Sequence, residues 1–154
     1  MSPFGMAIVV PTLELFANEF QSSYSIIQFI ISAYLFGLAI SQPFMGFLSD
    51  KLGRKPVMIS GIILFIIASY ICMTAETLST LIVARFLQGV GGSVGTVTSR
   101  AIIRDSYSGD QAAKSLSRVT ATMGMAPMIA PVIGAIALSI TGSPNGIFLI
   151  TLLI

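Results

Sequence analysis

The sequence predicts an all-α, polytopic membrane protein. Three observations carry this. Of its 154 residues 55% are apolar and only 9% are charged. Mean hydropathy is +0.93. Charge-free stretches long enough to cross a bilayer recur along the chain. A soluble domain is about 25% charged, so a water-facing surface is hard to build from this composition. Length alone would predict one soluble domain, and that prior yields to composition.

A helix needs roughly 20 apolar residues to cross the hydrocarbon core. The first span covers about 3–17; it is short, contains Pro11 and carries Glu14. Residues 20–49 hold no charge and contain the second span, about 25–48. The third covers 56–75 and begins at Pro56, a residue suited to the first turn of a helix. The fourth, 78–99, contains one charge, Arg85, and the fifth covers 119–140. "TGSPNG" at 141–146 is turn chemistry, and "IFLITLLI" at 147–154 starts a partial sixth span.

The connections alternate in character. Those near 18–24, 75–77 and 141–146 hold no basic residue, whereas 49–55 and 100–118 hold or adjoin every lysine and arginine except Arg85. By the positive-inside rule the charged connections and the N-terminus are cytoplasmic, and Glu19 and Glu76 lie on the outer surface. The +2 net charge therefore reflects topology and gives no argument for nucleic acid. Met1 runs into an apolar segment without a basic region, which argues against a cleaved signal peptide.

Several function classes fall away. The chain has no histidine and no tryptophan, and Cys72 is its one cysteine. A histidine-based zinc site, a cysteine cluster and an intramolecular disulfide are excluded; Cys72 reads as a small apolar residue in lipid or between helices. There is no P-loop pattern for ATP. No nucleophile–histidine pair and no paired membrane aspartates are present, so an enzyme is not expected, nor is a metal or other cofactor.

The connection "GFLSDKLGRKP" (46–56) concentrates Asp50, Lys51, Arg54 and Lys55 beside two glycines and a proline. Gly53 permits a left-handed turn, Gly46 allows a neighbouring backbone to come close, and Asp50 can pair with nearby arginines. The stretch resembles the loop-2/3 signature of the major facilitator superfamily, G-x-x-x-D-[RK]-x-G-R-[RK], at every defining position. The resemblance implies a cytoplasmic latch between the two halves of a transporter, formed by Gly46, Asp50, Gly53 and Arg54 with Lys51 and Lys55 in support. "ARFLQGVGG" (84–92) is similar to the family's fourth-helix motif, R-x-x-Q-G. "SRAIIRD" (99–105), with Arg100, Arg104 and Asp105, resembles the cytoplasmic end of that helix in bicyclomycin-resistance-type multidrug exporters. "GMAPMIAPVIGA" (124–135) resembles the fifth-helix motif of the antiporter branch, and "GIFLI" (146–150) the start of helix six. The implied fold is the N-terminal six-helix half of a major facilitator, truncated in helix six, with the C-terminal half absent.

On a helical wheel, Gln88, Gly89, Gly92, Thr96 and Ser99 lie within about 60° of Arg85, a polar, small-residue stripe through the fourth span. An intramembrane arginine costs at least ~2.5–3.5 kcal/mol unless it faces protein or water. The resemblance favours a role in proton coupling for Arg85, with Gln88 orienting it. Gly91 and Gly95 flank the stripe and are expected to pack against neighbouring helices. Gly124, Pro127, Pro131 and Gly134 share a face of the fifth span, and the prolines are expected to bend it; in the antiporter branch this face is thought to seal the cavity. Met123, Met125 and Met128 are expected to fill helix interfaces, with an adaptable pocket wall as the alternative.

A proton antiporter needs a membrane carboxylate with a raised pKa. Where related exporters place an aspartate in helix one, this chain has Ala7 or Ser2. Glu14 shares a helical face with Ala7 and Pro11, one turn beyond Pro11 toward the outside, and either substitutes for the aspartate or is wetted at the outer mouth. The resulting expectation is a proton-coupled exporter of drugs or other small organic molecules, driven by the proton gradient, in the bacterial inner membrane, with the lipid bilayer and a C-terminal six-helix half as partners. The alternatives are a truncated piece that does not transport alone, and a major facilitator importer of metabolites.

Overall fold

The computed structural model describes Ala7, Val9, Val10 and residues 13–141. Among the described residues six helices are bounded in order: α1 (Leu13–Glu19), α2 (Tyr24–Ile27), α3 (Phe29–Leu52), α4 (Arg54–Met73), α5 (Leu78–Ser106) and α6 (Gly109–Thr141). Among the described residues four helical stretches are long and apolar enough to cross a membrane: Ser25–Leu52, Arg54–Met73, Leu78–Ser106 and Gly109–Ile140. They correspond to the second to fifth spans. Residues 3–6, 8, 11 and 12 of the first span, the 141–146 turn beyond its first residue, and the partial sixth span lie outside the described residues.

The chain reverses between α3 and α4 on a single residue. Gly53 has φ 91° and ψ 157°, a region open essentially to glycine alone. The helix then restarts at Arg54, two residues before the expected start. Pro56 still falls within the first turn, where its missing N–H orphans nothing. Thr77 caps α5 by accepting a hydrogen bond from the Thr80 amide, 3.2 Å.

The expected connection over 100–118 is a correction. α5 continues to Ser106 and α6 begins at Gly109, so the break is confined to Tyr107 and Ser108, and Gly109 takes a positive φ of 54°. The segment is polar but rich in arginine, alanine, lysine, leucine and glutamine, all good helix formers. Leaving the hydrocarbon does not oblige a helix to end.

α5 lies between α3 and α4 and packs extensively on both, while α6 touches it lightly. Glycines set these approaches. A Cβ at Gly89 would run into the Tyr34 carbonyl of α3, and one at Gly37 into the Phe86 carbonyl of α5. On the other side, a Cβ at Gly91 would come within 2.7 Å of the Phe65 amide and 2.8 Å of the Gly61 carbonyl of α4. Small residues thus let backbones meet where lipid supplies no hydrophobic drive between helices. Gly95 does not share this role: nothing lies within 4 Å of its Cβ position. Gly46 faces only the Val97 side chain, at an ordinary 3.7 Å, so no backbone approach requires a glycine there. Both corrections follow from register, because the contact lines of α3 and α4 pass through Gly89 and Gly91.

α5 is the least apolar of the four spans and the most buried. Its polar and small residues turn inward, while Phe36, Phe44, Phe47, Ile63, Ile67 and Ile140 on the outer helices are exposed. In water such a surface would aggregate; a bilayer is the solvent it suits. Cys72 is buried in the apolar core with Phe16, Ile30, Leu81 and Ala84.

Candidate functional site

The first cluster surrounds Arg85, which is fully buried on α5. Its Nη1 donates to Gln88 Oε1 at 2.6 Å, and its guanidinium lies 4.6 Å from the centroid of the Tyr34 ring on α3. Gln88 Nε2 donates to Ser69 Oγ on α4 at 2.7 Å, and Ser69 Oγ donates to the Phe65 carbonyl at 2.7 Å. Donor–acceptor logic fixes the direction. Arginine has only donors, so Gln88 turns its carbonyl toward it; the amide nitrogen then needs an acceptor, and Ser69 sends its own proton to the backbone. Three helices thereby hold one cation in the interior. A buried charge is tolerable when hydrogen-bonded in this way, and a desolvated cation–π contact adds about 2 kcal/mol.

Gly89 and Gly92 share the stripe with Arg85, as the wheel predicts, and both are buried. They differ in role: Gly89 sets the α3–α5 approach, whereas a Cβ at Gly92 would sit 3.2 Å from the Tyr34 hydroxyl. Tyr34 and Ser69 were missed in the sequence. The available signal was a polar group in the middle of an otherwise apolar span, which must find a partner when buried. Glu14 is exposed on α1, beside buried Leu13 and Phe16. The position equivalent to the usual aspartate, Ala7, is buried in the apolar core; Pro11 and Ser2 lie outside the described residues.

The second cluster sits where both basic connections meet. Arg54 pairs with Asp50 one turn earlier, donates from Nε to Asp105 Oδ2 at 3.1 Å, and donates from Nη1 to Ser49 Oγ at 3.0 Å. One arginine therefore ties the end of α3 to the last turn of α5 across 51 residues of sequence. Ser49, which is buried, is the member the sequence did not reveal. Lys51 extends over the Phe47 ring, 4.5 Å from its centroid, and Lys55, Arg100 and Arg104 are exposed. Only Asp105 of the "SRAIIRD" residues joins the cluster.

α6 carries the third set. It remains helical through Pro127 and Pro131. Gly124 and Pro127 are exposed, Pro131 is half-buried and Gly134 is buried, so only the far end of this face packs within the described structure. Met125 and Met128 are also exposed, at 57% and 77%, and fill no helix interface here. Met123 lines a cavity between α5 and α6.

Polar groups turned inward on helices clamped by glycines, beneath a broad apolar outer surface, define a helical membrane-protein bundle. The family model of the Major Facilitator Superfamily matches residues 1–154. The chain is 36% identical over 134 residues to the uncharacterized MFS-type transporter YdgK of Bacillus subtilis, covering 87% of this chain and 33% of that protein. It is 37% identical over 134 residues to the multidrug resistance protein MdtL of Shewanella sp. strain ANA-3, covering 87% and 34%. To the MdtL of Escherichia coli O9:H4 it is 38% identical over 132 residues, covering 86% and 34%. The chain belongs to the major facilitator superfamily. It spans about a third of the length of these curated relatives.

Proposed function

We propose that this chain forms part of a transporter that exports drugs or other small organic molecules in exchange for protons by alternating access. The observation that carries the reading is the buried Arg85, held by Gln88 and Ser69 under the Tyr34 ring. A fixed cation in a low-dielectric interior changes the protonation of any acid that approaches it. It also supplies a charge whose partners can alternate between two arrangements of the helices. Two polar side chains and an aromatic ring from three helices converge on this one charge. The names of the MdtL relatives support the multidrug class.

On this reading the Arg54–Asp50–Asp105 cluster is the cytoplasmic latch. The basic connections and the N-terminus face the cytoplasm, the bacterial inner membrane is the setting, and the proton gradient supplies the energy without a bound cofactor. Substrate and proton paths are completed by the second six-helix half. Arg85→Ala in the longer protein that contains this chain is expected to abolish proton-driven efflux from loaded inverted vesicles while leaving the amount of inserted protein unchanged. Unaltered efflux would remove Arg85 from the mechanism. Uptake driven in the opposite direction would replace export by import.

A further inference from the structure

The crevice between α5 and α6, at the end of the bundle bearing the basic connections, belongs to neither cluster described above. Two cavities open there. One of about 440 Å³ has Thr96 and Ser99 of α5 and Arg118, Thr122 and Met123 of α6 in its wall. The other, of about 300 Å³, is lined by Thr96, Arg100 and Arg104 of α5 with Gln42 of α3. Thr96 lines both, so the two spaces meet at that residue.

Three arginines thus line these two adjoining cavities, Arg118 one and Arg100 with Arg104 the other. Among the described residues they form no ion pair: both ion pairs belong to Arg54, which also engages Asp105, the carboxylate next to Arg104. Thr96 Oγ1 is buried and has no hydrogen-bond partner among the described residues. A buried hydroxyl without a partner is uncommon and points to a missing ligand or water. Thr96, Arg100 and Arg104 are spaced four apart, on one face of α5, over about 12 Å of helix rise. α5 has 29 residues, more than the roughly 20 that hydrocarbon requires, and this segment is where it passes from hydrocarbon toward the headgroups. Gly92, Val119 and Met123 give the deeper part of the space an apolar wall.

We propose that this crevice binds the phosphodiester headgroup of an anionic phospholipid. Arg100, Arg104 and Arg118 meet the phosphate oxygens, Thr96 donates to them, and the apolar wall takes the start of an acyl chain. Guanidinium forks match phosphate geometry, and basic pockets between membrane helices suit such headgroups. A soluble phosphate shares this chemistry. The lipid is favoured because the crevice lies between two membrane helices and is apolar below its charged rim. The inference rests on the membrane-spanning fold and not on the export reading.

The test is thermal unfolding of the purified chain in detergent, followed by far-UV circular dichroism, with phosphatidylglycerol, phosphatidylcholine or inorganic phosphate added. Phosphatidylglycerol is expected to raise the midpoint by about 5 °C, as ligand at a large excess over its Kd does, and phosphatidylcholine is not. Arg100→Gln/Arg118→Gln should lose most of that shift. Lys51→Gln/Lys55→Gln, which removes the same charge elsewhere, should keep it. Arg100→Lys/Arg118→Lys should retain part of it, showing that the loss in the glutamine variant is not misfolding. Equal shifts with both lipids, or equal losses in the two glutamine doubles, would overturn the site. A full shift with inorganic phosphate alone would overturn the lipid assignment.

Discussion

Arg85 and Arg54 solve opposite problems with the same side chain. Arg85 is wholly buried, and its partners among the described residues include an amide, an aromatic ring and, through the amide, a hydroxyl. Arg54 is 26% exposed, and its partners Asp50 and Asp105 are 65% and 57% exposed. In the interior each hydrogen bond to a charge is worth about 1.5–3 kcal/mol, and removing an acceptor leaves a donor stranded. At the wetted end, water and salt compete for every charge, and such pairs add little to stability. The difference separates two jobs. The Arg85 cluster cannot go without partners, because an unpaired charge in the interior is costly. The Arg54 cluster joins two helix ends through solvent-exposed contacts that are cheap to break and remake.

That contrast can be broken at its structural root first. Gly89→Val drives a branched side chain into the Tyr34 carbonyl, a backbone atom that cannot step aside. It should separate α3 from α5, with loss of most inserted, protease-resistant protein in membranes; normal levels would show that the glycine contact does not set the spacing. A smaller effect is expected at the wetted end. Asp50→Asn in the longer protein should slow transport more than Lys51→Ala with little change in protein level, because Asp50 pairs with Arg54 whereas Lys51 reaches only the Phe47 ring. Equal, mild effects would reduce the connection to a topology signal. The smallest effect has the opposite sign. Gly95→Ala meets open space, and removing a helical glycine should stabilise by about 0.5–1 kcal/mol, read as a higher unfolding midpoint; destabilisation would place a neighbour against Gly95.

Much of this architecture was legible in the chain. Lipid demands continuous apolar runs, so α3, α4 and α5 were visible as spans, and the crowding of charge at 49–55 marked the end where Arg54 meets Asp105. Gly53 and Pro56 were readable because a one-residue reversal leaves few backbone options. What stayed hidden has physical causes. Apolarity reports the bilayer and not the helix, so α5 beyond residue 99 and α6 before residue 119 were missed. Helical spacing placed Arg85, Gln88, Gly89 and Gly92 on one face but could not say which glycine meets a neighbour; Gly91 packs and Gly95 does not. Tyr34 and Ser69 reach Arg85 and Gln88 across helices, and no local periodicity encodes that pairing. Glu14 shared a helical face with Ala7 on paper, yet its side chain lies outside the packed core.

The claim that Arg85 and Gln88 act as a pair can be measured by a double-mutant cycle. Unfolding free energies in detergent would be compared for Arg85→Met, Gln88→Leu and the double variant. Gln88→Leu alone removes a hydrogen-bond acceptor from a buried cation and should destabilise by about 2 kcal/mol, and the same change made after Arg85→Met should cost far less, giving a coupling of about 1–3 kcal/mol. Additivity within about 0.5 kcal/mol would contradict the pairing and the account built on it.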